Sequence, residues 1–207
     1  MQAVLYYAHD PMCSWCWGFA PVLRRLEAGL PGDVSLQRLL GGLAADTMET
    51  MAPQMQARIQ STWRRIAETI PGTQFNFDYW TRCVPRRSTW AACRAVIAAR
   101  SQGAEYDKRM TSAVQHAYYL EARNPSDRAV LVELARELGL DAARFAADLD
   151  SAATCAKLQA EMELCERLRI YSFPALVLVS GAAQWHIPVD YLASAPMLEL
   201  VEDLTSN

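Results

Sequence analysis

The sequence predicts an α/β fold whose strands lie at its two ends. Three observations carry that expectation. Short apolar runs rich in β formers occupy residues 3–8, 34–40 and 175–179. Three-to-four periodicity dominates the stretch between roughly 45 and 168. A Cys-x-x-Cys pair, Cys13-Ser14-Trp15-Cys16, opens a helical pattern directly after the first run. The predicted order is β-α-β, a large all-helical insertion, then β-β-α.

Each element has a local reason. Ala3-Val4-Leu5-Tyr6-Tyr7-Ala8 reads as a short buried strand. Asp10-Pro11 reads as an N-cap followed by a first helical position. The helix runs from about Cys13 to Leu30, with Phe19, Val22, Leu23 and Leu26 on its apolar face and Arg24, Arg25 and Glu27 in water. Pro31-Gly32 ends it. Residues 34–40 form the second strand, closed by Gly41-Gly42, and a right-handed crossover makes the two strands parallel. Helices follow near 50–69, 87–102, 104–121, 126–138, 142–149 and 152–168. Residues 175–179 and 184–187 form a hairpin about Ser180-Gly181-Ala182-Ala183, and a last helix covers 195–204. The expected division is residues 1–43 with 169–207 as one discontinuous unit, and 44–168 as the helical insertion.

Composition narrows the function. The chain has 207 residues, 52% of them hydrophobic, enough for a sizeable core. A net charge of −3 gives no support for nucleic-acid binding. No apolar run reaches the roughly 20 residues of a membrane span. Met1-Gln2 leads straight into the first strand without a basic n-region, so the expected location is cytoplasmic. Six cysteines in a reducing compartment should be mostly free thiols, with any disulfide transient and catalytic.

Cys13 and Cys16 carry the chemistry. A helix N-terminus offers unpaired N–H groups and partial positive charge, which favour a thiolate there. Cys16, three residues on, lies on the same helix face, placed to resolve a mixed disulfide formed by Cys13. Burial as small hydrophobes, half of a zinc site, or a structural staple are the competing readings. Zinc lacks a second ligand pair, since the only histidines are the widely spaced His9, His116 and His186; no metal is expected. Cys83, Cys93, Cys155 and Cys165 read as buried small hydrophobes, with a second redox pair as the minor alternative.

The stretch Tyr7-Ala8-His9-Asp10-Pro11-Met12-Cys13-Ser14-Trp15-Cys16-Trp17-Gly18 resembles the DsbA-like thioredoxin family, nearest to its cytosolic FrnE-like group of disulfide isomerases. Gln115-His116-Ala117-Tyr118-Tyr119-Leu120-Glu121 and Ser172-Phe173-Pro174-Ala175-Leu176 support the resemblance, which spans nearly the whole chain. It implies a thioredoxin fold and a cis Phe173–Pro174 bond packed against the dithiol. It also implies that Ser14, Trp15, Phe173 and Pro174 contact the substrate, with backbone pairing by strand addition. Partners would be protein or peptide thiols and disulfides, with a recycling reductant or oxidant; glutathione would be reductant or co-substrate, and no other cofactor is implied.

The chain departs from the family at two points. Its inter-cysteine dipeptide, Ser14-Trp15, lacks the histidine of strong oxidants, which places the expected potential between about −120 and −270 mV. Tyr7 stands where relatives often keep a buried carboxylate; Asp10 is the nearest acid, read first as an N-cap and second as an assisting group. His9 reads as an electrostatic helper or as an exposed loop residue. Met12, Trp15 and Trp17 read as an apolar platform or as core, with Trp15 expected exposed and Trp17 partly packed. Arg82, Arg86 and Arg87 read as a solvated face or a grip for carboxylates. The expected function is thiol–disulfide exchange, as oxidoreductase or isomerase. The alternatives are a kappa-type glutathione-dependent transferase or isomerase, and a non-catalytic peptide-binding module.

Overall fold

A computed structural model describes residues 3–206. The chain runs β1 (Ala3–His9), α1 (Ser14–Gly29), β2 (Val34–Leu40), α2 (Pro53–Thr69), α3 (Tyr79–Arg82), α4 (Trp90–Arg100), α5 (Tyr106–Tyr119), α6 (Arg128–Glu137), α7 (Ala142–Leu149), α8 (Ala152–Arg167), β3 (Ala175–Ser180), β4 (Ala183–Ile187) and α9 (Ala195–Thr205). Every predicted element is present. The four-residue α3 was not predicted; it is too short to show a period.

The strands form one sheet in the order β2-β1-β3-β4. β1 and β2 are parallel, from Ala3 opposite Val34 to His9 opposite Leu40. β3 runs antiparallel to both β1 and β4. Side chains of β1 alternate between faces, as period two requires. Leu5 and Tyr7 pack with Phe19, Val22 and Leu26 of α1 and Met197 and Val201 of α9. Ala8 packs on the other face with Leu39, Val177, Cys165 of α8 and Leu168 just past its end.

The helices build a second core around Trp63, Tyr79, Val96, Met110, Tyr119 and Phe145. Trp63 is fully buried and its ring lies 5.0–6.1 Å from those of Phe75, Phe77, Tyr79, Trp80, Tyr118 and Tyr119. Edge-to-face and offset contacts of this kind add to the area that the rings bury. α8 joins the two cores: Leu158 lies in the helical one and Cys165 against the sheet.

One predicted boundary needs correction. Asp10 does not cap α1. Residues 10–13 form a turn, in which the Cys13 N–H donates to the Asp10 carbonyl at 3.0 Å, and Cys13 itself occupies the N-cap position. The proline therefore sits in that turn, and the Asp10 carboxylate is free to bind elsewhere. Asp141 and Ser151 do cap α7 and α8 through their side chains.

Candidate active site

Cys13 has extended backbone angles, φ −80° and ψ 117°, and its carbonyl accepts the first helical bond from Trp17 N–H at 3.1 Å. No acidic residue lies in the first turn of α1 to oppose the positive helix end. The Cys13 thiol donates to the Phe173 carbonyl at 3.4 Å. The Phe173–Pro174 bond is cis. Gly41 explains how Phe173 reaches this place: a Cβ on residue 41 would lie 1.9 Å from the Phe173 ring, so only glycine leaves room.

Cys16 sits behind Cys13 and is fully buried. Burial pushes its thiol well up, and the hydrogen bond and charge of Cys13 push the same way. Tyr7, in the strand position where the family often has a carboxylate, is buried and also pushed up, chiefly by desolvation and then by Cys16. It remains a neutral phenol at neutral pH.

The inter-cysteine residues face opposite ways. Ser14 Oγ accepts from the indole N–H of Trp63 at 2.9 Å, which ties the loop to the helical core. Trp15 faces outward but is half-buried rather than exposed, because it packs against Tyr191 at 5.0 Å and lies under the Arg65 guanidinium at 5.1 Å. Trp17 is partly packed, stacked on Tyr119 at 5.6 Å with its N–H on the Gln74 carbonyl. Met12 is buried with the helical core and takes no part in an open platform.

Asp10 is the hub behind the loop. Its carboxylate accepts from Met12 N–H at 2.8 Å, Leu43 N–H at 2.8 Å, the Thr89 hydroxyl at 2.6 Å and the Cys93 thiol at 3.4 Å. All four partners are donors, which suits an ionised carboxylate. Burial raises its pKa, and the bonds from Thr89, Leu43, Met12 and Cys93 pull it back. Sequence reasoning missed Thr89, Cys93 and Trp63 as parts of this site. A separation of 49–83 residues from their partners leaves no local signal.

His9 is not an exposed loop residue. It ends β1, is fully buried and stacks parallel on Tyr7 at 4.9 Å. Burial, with the charges of Arg38 and Arg100, lowers its pKa to about 3. A neutral ring at neutral pH supplies no positive charge to the cysteines.

Cys93 and Cys165 are buried as expected, whereas Cys83 is half-buried and Cys155 exposed, which corrects the expectation for both. All six cysteines are free thiols. Cys83 donates to the Ala122 carbonyl and Cys93 to Asp10, so the two point at different partners. Arg86 pairs with Asp127 and donates to the Ser126 carbonyl at 2.8 Å, which ties it into the helical block. Among the described residues no helix is long and apolar enough to cross a membrane, and no three or more His, Cys, Asp or Glu side chains gather as a metal site.

A Cys-x-x-Cys dithiol on a helix N-terminus, facing a cis-proline loop on a four-stranded mixed sheet, defines a thioredoxin-fold protein. The chain belongs to the thioredoxin family, in its DsbA-like branch: a family model described as Thioredoxin matches residues 6–194. A Nitrosomonas europaea structure provisionally named protein disulfide isomerase superposes with a TM-score of 0.85 and 28% identity, over 100% of this chain and 98% of that one. The cytosolic disulfide reductase DsbM from Pseudomonas aeruginosa superposes with a TM-score of 0.75 and 26% identity, over 99% of this chain and 100% of that one. DsbM has also been solved with GSH. The ClpXP adapter protein SpxH of Halalkalibacterium halodurans is 25% identical over 203 residues, 91% of this chain and 66% of that protein. SpxH of Bacillus subtilis is 24% identical over 173 residues, 83% of this chain and 56% of that protein. The chain thus spans less than two thirds of the length of these curated relatives.

Proposed function

We propose that the chain is a cytoplasmic thiol–disulfide oxidoreductase in which Cys13 is the nucleophile and Cys16 the resolving thiol. The observation that carries this reading is the Cys13 sulfur at the N-cap of α1, 3.4 Å from the Phe173 carbonyl beside Pro174, with Cys16 buried behind it.

The Cys13 thiolate attacks one sulfur of a substrate disulfide, forms a mixed disulfide and releases the other substrate sulfur as a thiolate. Cys16 then attacks the Cys13 sulfur. The Cys16 proton passes to the departing thiolate, the first-released thiolate takes from solvent the proton that Cys13 gave up on ionising, and the substrate leaves as a dithiol. Two electrons have moved from the Cys13–Cys16 pair to the substrate. Two glutathione thiols restore the pair and leave as oxidised glutathione. The raised pKa of Cys16 keeps it protonated, so the attacking role falls to Cys13.

Trp15, between the two cysteines, and Tyr191 packed on it offer aromatic surface for a peptide. The backbone of Phe173 would pair with an extended substrate segment. Likeness to a cytosolic reductase solved with GSH supports the compartment, the reducing direction and the choice of glutathione.

The test is turnover of a disulfide-linked peptide by reduced glutathione, followed through glutathione reductase and NADPH. Cys13→Ser should abolish turnover; Cys16→Ser should accumulate the mixed disulfide, visible by mass. Equal turnover by Cys13→Ser would overturn the reading.

The curated relatives favour a second reading, that of a protein-binding adapter. That reading requires partner binding to survive in Cys13→Ser.

A further inference from the structure

Along the flank of α1 lies a cleft of about 1190 Å³, bounded by that helix, β2 and α5. None of Cys13, Trp15, Phe173 or Pro174 lines it, so it is separate from the open face of the dithiol. Tyr7 and the buried Cys16 belong to its wall.

The charge of this wall is one-sided. Arg24, Arg38, Lys108 and Arg109 line it, against the single carboxylate of Glu27. That concentration stands out in a chain of net charge −3. Glu27 is already shared between Arg38 and Lys108. Arg109 rides on the Tyr106 ring at 4.8 Å and reaches only the Leu138 carbonyl at 3.4 Å. Among the described residues neither Arg24 nor Arg109 has a carboxylate partner, and the buried Nε of Arg38 has no hydrogen-bond partner. Trp17, Ala20 and Leu23 add apolar wall beside these cations.

We propose that this cleft binds an organic anion with an apolar body. The acid group lies among Arg24, Arg38 and Arg109, and the body lies along Trp17 and Ala20. Inorganic phosphate would leave that apolar wall wet. A purely apolar ligand would leave the cations unmatched and would strip water from them. The volume is above the usual range for sites that enclose small organic ligands, so size does not exclude them. The site stands on its own and does not depend on the redox reading.

The probe is 1-anilinonaphthalene-8-sulfonate, whose fluorescence rises against apolar surface, paired with N-phenyl-1-naphthylamine, the same rings without the sulfonate. The intact chain should bind one sulfonate probe saturably and more tightly than the neutral one. Arg24→Glu with Arg109→Glu should weaken the sulfonate about tenfold or more and leave the neutral probe within about twofold. Ala20→Trp fills the cleft and should remove both. Unfolding curves check that each variant remains folded, and Arg24→Gln with Arg109→Gln should give a smaller loss of the same sign should the reversal fail to fold. Non-saturable binding, equal affinity for the two probes, or a sulfonate affinity unmoved by either charge pair or by Ala20→Trp would overturn the proposal.

Discussion

The loop that carries Cys13 and Cys16 has a front and a back, and different parts of the chain build them. The front is Trp15, Phe173, Pro174 and Tyr191, contributed by the strand-bearing ends, with Trp15 held by Tyr191 and Arg65 and Phe173 packed on the aliphatic cluster beside the sheet. The back is Asp10 and Ser14, fastened to Leu43, Trp63, Thr89 and Cys93 by hydrogen bonds in dry surroundings. Front contacts leave side chains partly open, whereas back contacts bury a carboxylate that has to be satisfied. The helical insertion is therefore part of the scaffold that holds the dithiol loop. Changes at the back should cost stability, and changes at the front should cost substrate.

Asp10→Ala is the largest break. It leaves the Met12 and Leu43 N–H groups and the Cys93 thiol without their acceptor, and the Thr89 hydroxyl with only the Ala44 carbonyl at 3.4 Å. An unsatisfied buried donor costs roughly 1–3 kcal/mol, so the unfolding free energy should fall by about 3–5 kcal/mol. Urea unfolding measures it. Asp10→Asn keeps part of the acceptor and should lose less; equal losses would mean that volume, not acceptance, holds the back together.

His9, adjacent to Asp10 in the chain and equally buried, tests how dry this region is. Its folded pKa, about 3, lies below the ordinary value of 6.5. Between those values the unfolded chain binds the extra proton, so stability falls as pH drops below about 6.5, and the loss stops only near the folded value. The slope reaches about 1.4 kcal/mol per pH unit. Asp10, Asp107 and Glu161 have raised pKa values and act with the opposite sign. The informative quantity is the difference between the protein and His9→Phe. From pH 6.5 to 4 the native chain should lose about 3 kcal/mol more than the variant. Parallel pH profiles would mean that water reaches the ring.

The front was legible in the sequence because its signals are local. Cys-x-x-Cys after a strand, and Phe173-Pro174 before one, need no long-range knowledge. The strands and long helices followed from period alone. The back was hidden for the same reason. Asp10 beside Pro11 carries a strong N-cap signal, and the competing tertiary use wins only because Thr89 and Cys93 arrive from α4 and the residue before it. His9 looked like a loop residue because a polar side chain at the end of an apolar run ordinarily marks the surface; its stacking on Tyr7 follows from β1 continuing to residue 9. Trp63 sits in a helix whose other aromatic partners come from three separate segments.

Trp63→Phe probes the same side more gently. The ring stays and the bond to Ser14 Oγ goes. The lost bond and the small void together should cost about 2 kcal/mol. The Cys13–Cys16 equilibrium against glutathione should move as well, since Ser14 lies between the two cysteines. A stability change with an unmoved equilibrium would show that the helical core holds Ser14 without influencing the dithiol.

The smallest stability effect belongs to the front. Trp15→Ala removes a tilted contact with Tyr191 and a cation–π contact with Arg65, both at a half-buried position. Such contacts are worth about 0.5–1.5 kcal/mol each at most, and the exposed end of that range applies here, so unfolding should shift by no more than about 1 kcal/mol. The catalytic effect should be the larger one. If the front binds the peptide, KM for a disulfide-linked peptide rises several-fold while kcat stays within about twofold, because a contact made equally in ground and transition states is lost. A fall in kcat at unchanged KM would place Trp15 in the positioning of Cys13, and the division between a binding front and a structural back would have to be redrawn.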